Sequence, residues 1–323
     1  MALFQQSHTT PSLVMVYPHD FGFNEQTGAD NAFQHKPVDA DRQAITRSAQ
    51  HEFSAMVDTL RRHQVEVLVL QQRASEQPAP DAIFPNNWFS TRSDGKLFIY
   101  PMKTANRQAE VQVENLTQTL NLAGYQVSEV IDLRNSLPPG SILEGTGSLI
   151  FHHQSALLFA ALSERCQANA LAQFAHNYGY QSVAFDSADE QDQPIYHSNV
   201  MMSCGDQFAV INDASLTDKQ QKNELLKTLA NHLEDVICIS QQQMGESFCG
   251  NILQIRDLNN DPCIVMSATA YGGFESIQIK TLEKHGDLVI CDIPTIEFVG
   301  GGSARCMIAE NFLTKKPSSQ SNK

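Results

Sequence analysis

Positive charge is scarce in this sequence. Its 323 residues include 22 lysines and arginines against 36 aspartates and glutamates, a formal net charge of −14 at pH 7. Nucleic acids and anionic membrane surfaces are bound through basic faces, so this composition argues against both as partners. A few buried arginines can still neutralise a small anionic group in an acidic protein.

Long apolar runs and clustered metal ligands are also missing. No apolar run approaches the roughly 20 residues of a membrane-spanning helix. The 11 histidines are scattered, without HExxH or a similar spacing. We therefore expect neither a membrane span nor a metal site.

Cysteine is sparse and dispersed. The seven cysteines include no CxxC pair, and their odd number does not suit a complete disulfide framework. This usage is typical of a reducing compartment with mostly structural thiols. The N-terminal sequence MALFQQSHTTPSLVMVYP lacks the basic and long apolar regions of a signal peptide. We expect a cytoplasmic protein.

One cysteine stands apart because of what precedes it. The stretch GGGSARCM, residues 300–307, delivers Cys306 from a glycine-rich turn to the apolar run Met307–Ala309. Glycine lets the backbone pass close to a ligand, and such a turn is a plausible seat for a nucleophile. The alternative, an inert core cysteine after a flexible loop, is the commoner case for cysteines in general.

Periodicity and composition predict an alternation of strands and helices. Asp20–Gln34 is a long polar loop, for which a lid and a mobile surface loop are equally good interpretations. Tyr196–Met202 and Phe208–Asn212 are predicted as a strand pair. The other main predictions are strands at Ser12–Tyr17, Val65–Leu70, Leu97–Tyr100, Val236–Ile239 and Leu288–Ile293, and helices at Asp41–His63, Asn106–Leu122, Leu162–Tyr178, Leu216–Leu233 and Phe274–His285.

A turn of small or polar residues followed by a strand recurs along the chain. Its centres, at gaps of 59, 53, 52 and 52 residues, are Asn86, Gly145, Ser198, Gly250 and Gly302. A near-constant period of this size suggests supersecondary units that close into a ring, although coincidence is the alternative. In a ring the five turns converge on one axis, and four polar residues meet there: Asn87, Glu144, His197 and Cys306.

These residues suit nucleophilic catalysis. The Cys306 thiolate would attack an electron-poor carbon, with His197 as general acid and base and Glu144 orienting the imidazole. A guanidinium or ureido carbon fits, because the leaving amine must receive a proton. Taken singly, His197 and Glu144 are better explained as structural residues, and only their equivalent repeat positions favour catalysis.

An amino-acid substrate would need charged partners at its other end. Arg107 and Arg165 each follow a strand pair and would pair bidentately with an α-carboxylate. Asp81 would meet the α-ammonium. Without the ring, surface charge is the default interpretation of the two arginines.

At these residues the chain resembles the guanidine-modifying superfamily of arginine deiminases, dimethylarginine dimethylaminohydrolases and amidinotransferases, and within it the citrulline-utilisation hydrolase group. The similar stretches span about Val14 to Glu310 and are GFNEQTGADNAFQ, DAIFPNNWFSTRSDGKLFIYPM, LEGTGSLIF, YHSNVMM and GGGSARCM. The resemblance implies a pseudo-symmetric five-bladed α/β-propeller, the pentein fold, with neither metal nor organic cofactor. We expect one catalytic domain over residues 1–313 and a disordered tail over 314–323.

The resemblance also assigns roles. It implies Cys306 as nucleophile, His197 as general acid and base, and Glu144 as the carboxylate. The substrate-binding residues expected from it are Asp81, Phe84, Asn87, Arg107 and Arg165.

Two departures from the superfamily pattern bear on the substrate. Relatives acting on a guanidinium usually carry Asp at the position of Asn87, and often at that of Gly147. Fewer carboxylates lower the preference for a cation, and an amide offers both a donor and an acceptor to a neutral ureido group. We therefore predict hydrolysis of citrulline to ornithine, ammonia and carbon dioxide.

Other functions remain open at this point. Arginine deimination and amidino transfer are the enzymatic alternatives, and a non-catalytic amino-acid-binding propeller is a further one. The expected partner is a small amino acid, and a homodimer is one alternative for the assembly.

Overall fold

The fold consists of short strands in a regular order. A computed structural model describes residues 6–28, 31–37, 41–72 and 78–316. Its strands are β1 Ser12–Val16, β2 Glu66–Leu70, β3 Phe89–Thr91, β4 Lys96–Ile99, β5 Glu129–Asp132, β6 Ile150–His152, β7 Leu157–Ala161, β8 Gln181–Phe185, β9 Met202–Cys204, β10 Phe208–Ile211, β11 Asp235–Cys238, β12 Leu253–Arg256, β13 Pro262–Ser267, β14 Asp287–Cys291 and β15 Ala309–Glu310.

Helices separate these strands. Single turns of 3₁₀ helix occur at Pro85–Asn87, His153–Ser155 and Asp213–Ser215. The α-helices are α1 Arg42–Arg62, α2 Ala105–Gln108, α3 Val113–Leu122, α4 Leu133–Ser136, α5 Gly145–Ser148, α6 Ala168–Tyr178, α7 Ser198–Met201, α8 Lys219–His232, α9 Gln241–Gly245, α10 Ala268–Gly273, α11 Ser276–Leu282 and α12 Pro294–Gly300.

In the described residues the strands form five sheets of three. Their orders are β15–β1–β2, β3–β4–β5, β6–β7–β8, β9–β10–β11 and β12–β13–β14. In each sheet the inner strand, named first, pairs antiparallel with the middle strand, which pairs parallel with the outer one. Parallel neighbours need a long crossover, and α1, α3, α6, α8 and α11 lie within the five crossovers.

The ring closes through a sheet shared by the two ends of the chain. Leu13 and Val14 of β1 pair with Glu310 and Ala309 of β15. One blade therefore takes its inner strand from the C-terminal region and its other strands from the N-terminal region. The five-bladed α/β-propeller implied by the resemblance, in agreement with the ring suggested by the repeat period, is confirmed.

Helix α1 shows how the pattern produces the packing. Asp41 caps its N-terminus by accepting a hydrogen bond from the backbone N–H of Gln43 at 3.0 Å. Its buried side chains, which share the face predicted from the sequence, are Ala49, Phe53, Met56, Val57 and Leu60. Burial of this apolar face, rather than helix propensity, supplies most of the stability of such a helix.

The polar turns differ from the sequence prediction. Tyr196–Met202, predicted as part of a strand pair, contains helix α7 before the strand begins at Met202. The turn at Gly145 is likewise one helical turn, in which the N–H of Ser148 donates to the carbonyl of Glu144 at 3.1 Å. A single helical turn satisfies backbone polar groups that would otherwise be buried without partners.

Two further predictions need adjustment. The helix predicted over Asn106–Leu122 is divided into α2 and α3. The described chain continues past residue 313, since Lys316 donates its N–H to the carbonyl of Gly124 at 2.9 Å. The single-domain boundary stays a prediction, and residues 317–323 of the expected tail lie outside the described residues. No helix of the described ranges is both long and apolar enough to cross a membrane.

Candidate active site

The five polar turns meet at one end of the ring. Each precedes an inner strand, and neighbouring turns touch in sequence order around the axis. Four of the five contacts are hydrogen bonds. In the fifth, Gly302 packs so closely on Phe84 that a side chain added at position 302 would place its Cβ 2.9 Å from the Phe84 ring. The hydrogen bonds are Thr146 Oγ1 to Asn86 O at 3.3 Å, Ser198 Oγ to Ser148 O at 2.6 Å, Asn251 Nδ2 to Asn199 O at 2.8 Å, and Arg305 N to Asn251 Oδ1 at 3.1 Å.

The thiol of Cys306 lies inside this end of the ring, with 5% of the residue exposed. Its sulfur accepts hydrogen bonds from Asn251 Nδ2 at 3.2 Å and Asn199 Nδ2 at 3.3 Å. The backbone N–H of Cys306 donates to Ser303 O at 2.9 Å, which fixes the turn. Burial raises the pKa of the Cys306 thiol, and the Asn251 N–H opposes that shift. The sulfur therefore rests as a thiol at neutral pH.

His197 and Glu144 form a buried pair. His197 Nε2 lies 2.7 Å from Glu144 Oε2, and the backbone N–H of Lys103 donates to Glu144 Oε1 at 2.9 Å. Burial would raise the pKa of Glu144, but Arg165 and His197 outweigh it and hold the pKa well below its usual range. Burial lowers the pKa of His197, and Glu144 opposes this. The pair is a carboxylate and a neutral imidazole.

The tautomer of His197 follows from this pair. An ionised carboxylate only accepts hydrogen bonds, so Nε2 carries the proton and Nδ1 keeps its lone pair. A Cβ at position 147 would lie 3.0 Å from Nδ1 and 2.9 Å from Cε1. The backbone of Gly147 thus packs closely against the basic nitrogen of the imidazole, and a side chain at 147 would press on the ring.

Asn87 also packs against Gly147. A Cβ at position 147 would overlap Asn87 Oδ1, a buried atom with no hydrogen-bond partner among the described residues. A buried acceptor without a partner is costly, so it indicates a place where a ligand or water donates. Asn87, Gly147 and His197 therefore lie together at the end of the ring where the polar turns meet.

Phe84 packs close to Cys306. A Cβ at position 302 would lie 2.9 Å from its ring and 3.3 Å from Cys306 Cβ. Only glycine fits at 302 without moving the ring, so Phe84 and the glycine stretch together shape the wall next to Cys306.

Arg165 contacts Glu144 on one side and a cavity on another. Its Nη1 donates to Glu144 Oε2 at 3.2 Å, and its guanidinium lies 5.3 Å from the centre of the Tyr196 ring. The residue borders a cavity of about 370 Å³ that also contacts Gly28 and Pro194. Arg165 therefore links Glu144 to a cavity large enough for an amino acid.

Arg107 is held by Glu110, a residue not singled out in the sequence. Its Nε and Nη2 donate to the Glu110 carboxylate at 2.9–3.1 Å, and Nη2 also donates to Phe84 O at 2.9 Å. Burial raises the pKa of Glu110, and Arg107 opposes the shift. No hydrogen bond of Nη1 is present among the described residues, so this nitrogen is the one left to meet a substrate.

Asp81 lies under the loop that precedes α1. Asn24 Nδ2, Thr27 Oγ1 and Gln34 Nε2 donate to its carboxylate at 2.6, 2.8 and 3.5 Å. Gln34 also donates to Gly300 O at 3.0 Å. The described part of the loop is thus packed onto the site, and Asp81 is 2% exposed.

The sequence prediction missed the two amides that contact the sulfur. Asn199 and Asn251 are 52 residues apart, the same spacing as the centres of their turns. Equivalent positions in successive repeats were thus a signal that these amides reach the axis. Among the described residues, no group of three or more His, Cys, Asp or Glu side chains could hold a metal.

Comparison with known families gives one match over most of the chain. The model of the family described as N,N dimethylarginine dimethylhydrolase, eukaryotic, matches residues 17–313. No curated protein sequence matches the chain.

Solved structures show the same fold at low sequence identity. The substrate-bound N-terminal domain of ArgZ, a cyanobacterial arginine dihydrolase, is 14% identical with a TM-score of 0.69, over 93% of this chain and 97% of that domain. This chain covers 41% of the longer apo ArgZ chain, at 15% identity. DDAH from Pseudomonas aeruginosa, a cysteine-to-serine mutant complexed with citrulline, is 13% identical with a TM-score of 0.64, over 94% of this chain and all of that one.

Proposed function

The chain belongs to the N,N-dimethylarginine dimethylhydrolase family of C–N hydrolases, and we propose that it hydrolyses the ureido group of a free amino acid, citrulline in the first place. The products are ornithine, ammonia and carbon dioxide. Cys306 is the nucleophile, His197 the general acid and base, and Glu144 the group that holds the imidazole.

The observation that carries the choice of substrate is the buried amide of Asn87 beside Gly147 and His197. Its Oδ1, which has no partner among the described residues, suits an N–H of a ureido group, and its amide N–H suits the ureido oxygen. A carboxylate at position 87 or 147 would favour a guanidinium instead. Glycine at 147 keeps a second side chain away from Asn87 and His197.

The reaction proceeds through a thiol adduct. The proton of Cys306 passes to Nδ1 of His197, and the sulfur forms a bond to the ureido carbon. The imidazolium returns that proton to the departing amine as its C–N bond breaks. The remaining S-carbamoyl group, a thiocarbamate, is hydrolysed by water that His197 deprotonates, and the imidazolium returns that proton to the sulfur of Cys306 as it leaves. The carbamate product then releases carbon dioxide and the second amine.

The α-carboxylate and α-ammonium groups of the substrate are bound by charged residues that the fold already holds in place. Nη1 of Arg107 and the guanidinium of Arg165 take the α-carboxylate, and Asp81 takes the α-ammonium. Phe84 packs along the apolar part of the side chain. Binding the ammonium requires Asp81 to exchange a hydrogen bond with Asn24, Thr27 or Gln34.

Arginine is the second candidate as starting substrate. The ArgZ structures are described as those of an arginine dihydrolase, and three carboxylates, Asp81, Glu110 and Glu144, lie within electrostatic reach of Arg107. Two successive hydrolyses would yield citrulline and then ornithine. The same site and final product serve both candidates.

A substrate panel tests the proposal. Citrulline, arginine, agmatine and methylated arginines are each incubated with the protein, and ornithine and ammonia are quantified. Citrulline is expected to give the highest kcat/KM, with one ammonia per ornithine, whereas arginine dihydrolysis gives two. Accumulation of citrulline from arginine without ornithine would contradict the proposal and favour arginine deiminase. Guanidinoacetate formed from arginine and glycine would indicate amidino transfer.

The reactivity of the Cys306 thiol distinguishes the enzyme from the non-catalytic alternative. A haloacetamidine that labels Cys306 selectively at neutral pH, and is blocked by citrulline, supports the enzyme. Citrulline binding without such labelling and without ornithine would support an amino-acid-binding propeller.

A further inference from the structure

We propose that Asn199 and Asn251 are catalytic residues, whose side-chain N–H groups together hold the sulfur of Cys306 and stabilise it as a thiolate while it attacks. This inference rests on the proposed function, because it concerns the same nucleophile. It assigns a thiolate-binding site built from neutral amides on two neighbouring blades.

The geometry around the sulfur is the first argument. Two amide nitrogens lie 3.2 and 3.3 Å from Sγ, and Asn251 and Asn199 are each 1% exposed. An S–H group is a weak donor and a weak acceptor. In the thiol form, two buried N–H groups directed at the sulfur therefore make only weak hydrogen bonds. Hydrogen bonds to a charged acceptor are roughly twice as strong, so the arrangement favours the thiolate.

The two amides are held in place by their surroundings. Asn251 donates to Asn199 O at 2.8 Å and accepts from the N–H of Arg305 at 3.1 Å, and therefore joins three turns. Asn199 follows His197 by two residues at the start of α7, so the nucleophile and its base are positioned by one turn. The donors are thus fixed before the substrate arrives, which is what electrostatic stabilisation requires.

Charged groups near the sulfur do not replace the amides. Arg305 is the nearest cation in sequence, but its Nη2 is paired with Glu310 at 2.9 Å and its Nη1 donates to Ile308 O at 3.0 Å. On the neighbouring turn, His197 is neutral and faces Glu144. A buried thiolate without a directly paired cation needs hydrogen bonds to offset desolvation.

The cleanest test is Asn199→Leu, because Oδ1 of Asn199 has no hydrogen-bond partner among the described residues and the substitution removes only the donor to sulfur. The rate of Cys306 alkylation by iodoacetamide is measured by peptide mass spectrometry from about pH 6 to about pH 12, a range that extends above the usual titration of thiols because burial already raises the pKa of this one. The midpoint is expected to rise by about one unit, equivalent to a tenfold change in ionisation. Asn199→Asp, which places a carboxylate beside the sulfur, should raise it further.

Ser203→Ala is the matched control. Its hydroxyl is also buried without a partner, on the inner strand that follows α7, but it does not contact Cys306. Its alkylation midpoint should equal that of the parent. Asn251→Asp, which retains an acceptor for Arg305, provides the corresponding test on the second blade and should raise the midpoint as well.

Midpoints within about 0.3 unit of the parent in both folded Asn199 variants would overturn the inference and leave the amides as packing groups only. If Asn199→Leu fails to fold, Asn199→Asp and Asn251→Asp decide by the same criterion. Alkylation needs no substrate, so it is independent of the proposed function. Shifted midpoints in a protein that turns over no ureido or guanidino amino acid would refute the function and retain the thiolate site. Turnover of such an amino acid with unshifted alkylation midpoints in the variants would support the proposed function and refute the thiolate site.

Discussion

Two groups of buried histidines lie at opposite ends of the inner strands. His197 stands at the end where the polar turns meet, whereas His8, His152 and His153 gather where β6 and β9 finish. His8 Nε2 lies 2.9 Å from Cys204 O and its Nδ1 accepts from the N–H of His153 at 3.3 Å. Burial lowers the pKa of all four histidines.

The difference lies in their partners. Within the described residues, His8 bonds to backbone groups and His153 Nδ1 lies 2.9 Å from Tyr180 OH. His197 instead bonds to the ionised Glu144, and its other nitrogen lies against Gly147 beside the unpartnered amide oxygen of Asn87. Burial alone therefore does not distinguish the four histidines. The carboxylate partner distinguishes His197 from the other three.

The largest effect is expected at Cys306, in the polar turns. Cys306→Ser should lower kcat by at least about 10³-fold, because a buried hydroxyl is a far weaker nucleophile than a thiolate. Steady-state kinetics with citrulline and arginine measure the loss, and circular dichroism checks the fold. Cys204→Ser, at the other end of the axis, is the control and should keep parental kcat. Full turnover by Cys306→Ser would end the proposed mechanism.

Glu144→Gln replaces the carboxylate partner of His197 by a neutral group, so that His197 has only neutral partners, as His8 and His153 do. The neutral amide can no longer stabilise an imidazolium, so kcat should fall on the order of 10³-fold. Arg165 loses the carboxylate that it contacts in a buried site, and the free energy of unfolding should fall by about 3–5 kcal/mol. Kinetics and urea unfolding measure the two effects. Parental kcat would show that Glu144 only supports the structure.

Asn87→Asp tests the neutral character of the pocket. A carboxylate beside the reacting carbon favours a cation, so the ratio of kcat/KM for arginine to that for citrulline should rise about tenfold. Asn86→Asp, on the neighbouring residue of the same turn, shows whether any nearby carboxylate suffices. An unchanged ratio in Asn87→Asp would refute the argument for a ureido substrate.

The smallest effect is expected from the distant histidines. Burial and His152 lower the pKa of His8 to about 4, whereas an unfolded histidine titrates near 6.5. The unfolded state therefore binds the proton first, and stability falls as pH decreases from about 6.5 towards 4, by up to about 3 kcal/mol. His8→Gln should remove most of this slope in urea unfolding and leave kcat/KM unchanged. A slope equal to that of the parent would contradict the assignment.

Much of the fold was readable from the sequence. The near-constant spacing of the turns predicted a ring, and the amphipathic pattern of residues 41–63 predicted α1 almost to its ends. The turns themselves were harder to predict. Residues 198–201 were expected in a strand but form one helical turn, because burial at the axis requires their backbone groups to find partners.

The sequence predicted some residues of the candidate site and missed others. The repeat spacing placed Asn87, Glu144, His197 and Cys306 near one axis, and the structure places all four in its polar turns. Glu110 gave no sequence signal, because its role depends on being buried against Arg107. The hydrogen bonds from the loop to Asp81 could not be predicted from the sequence either. They join side chains more than 50 residues apart, which only the folded chain brings together.

The sequence by itself determined the repeat and singled out Cys306 and His197 as candidates for nucleophile and base, because periodicity and residue chemistry are local properties of the chain. Only the tertiary structure decided what surrounds the sulfur and the imidazole. Two amides from separate blades contact the sulfur of Cys306, and a carboxylate from a third holds His197. Such contacts join residues distant in sequence, and only closure of the ring brings them within hydrogen-bonding distance.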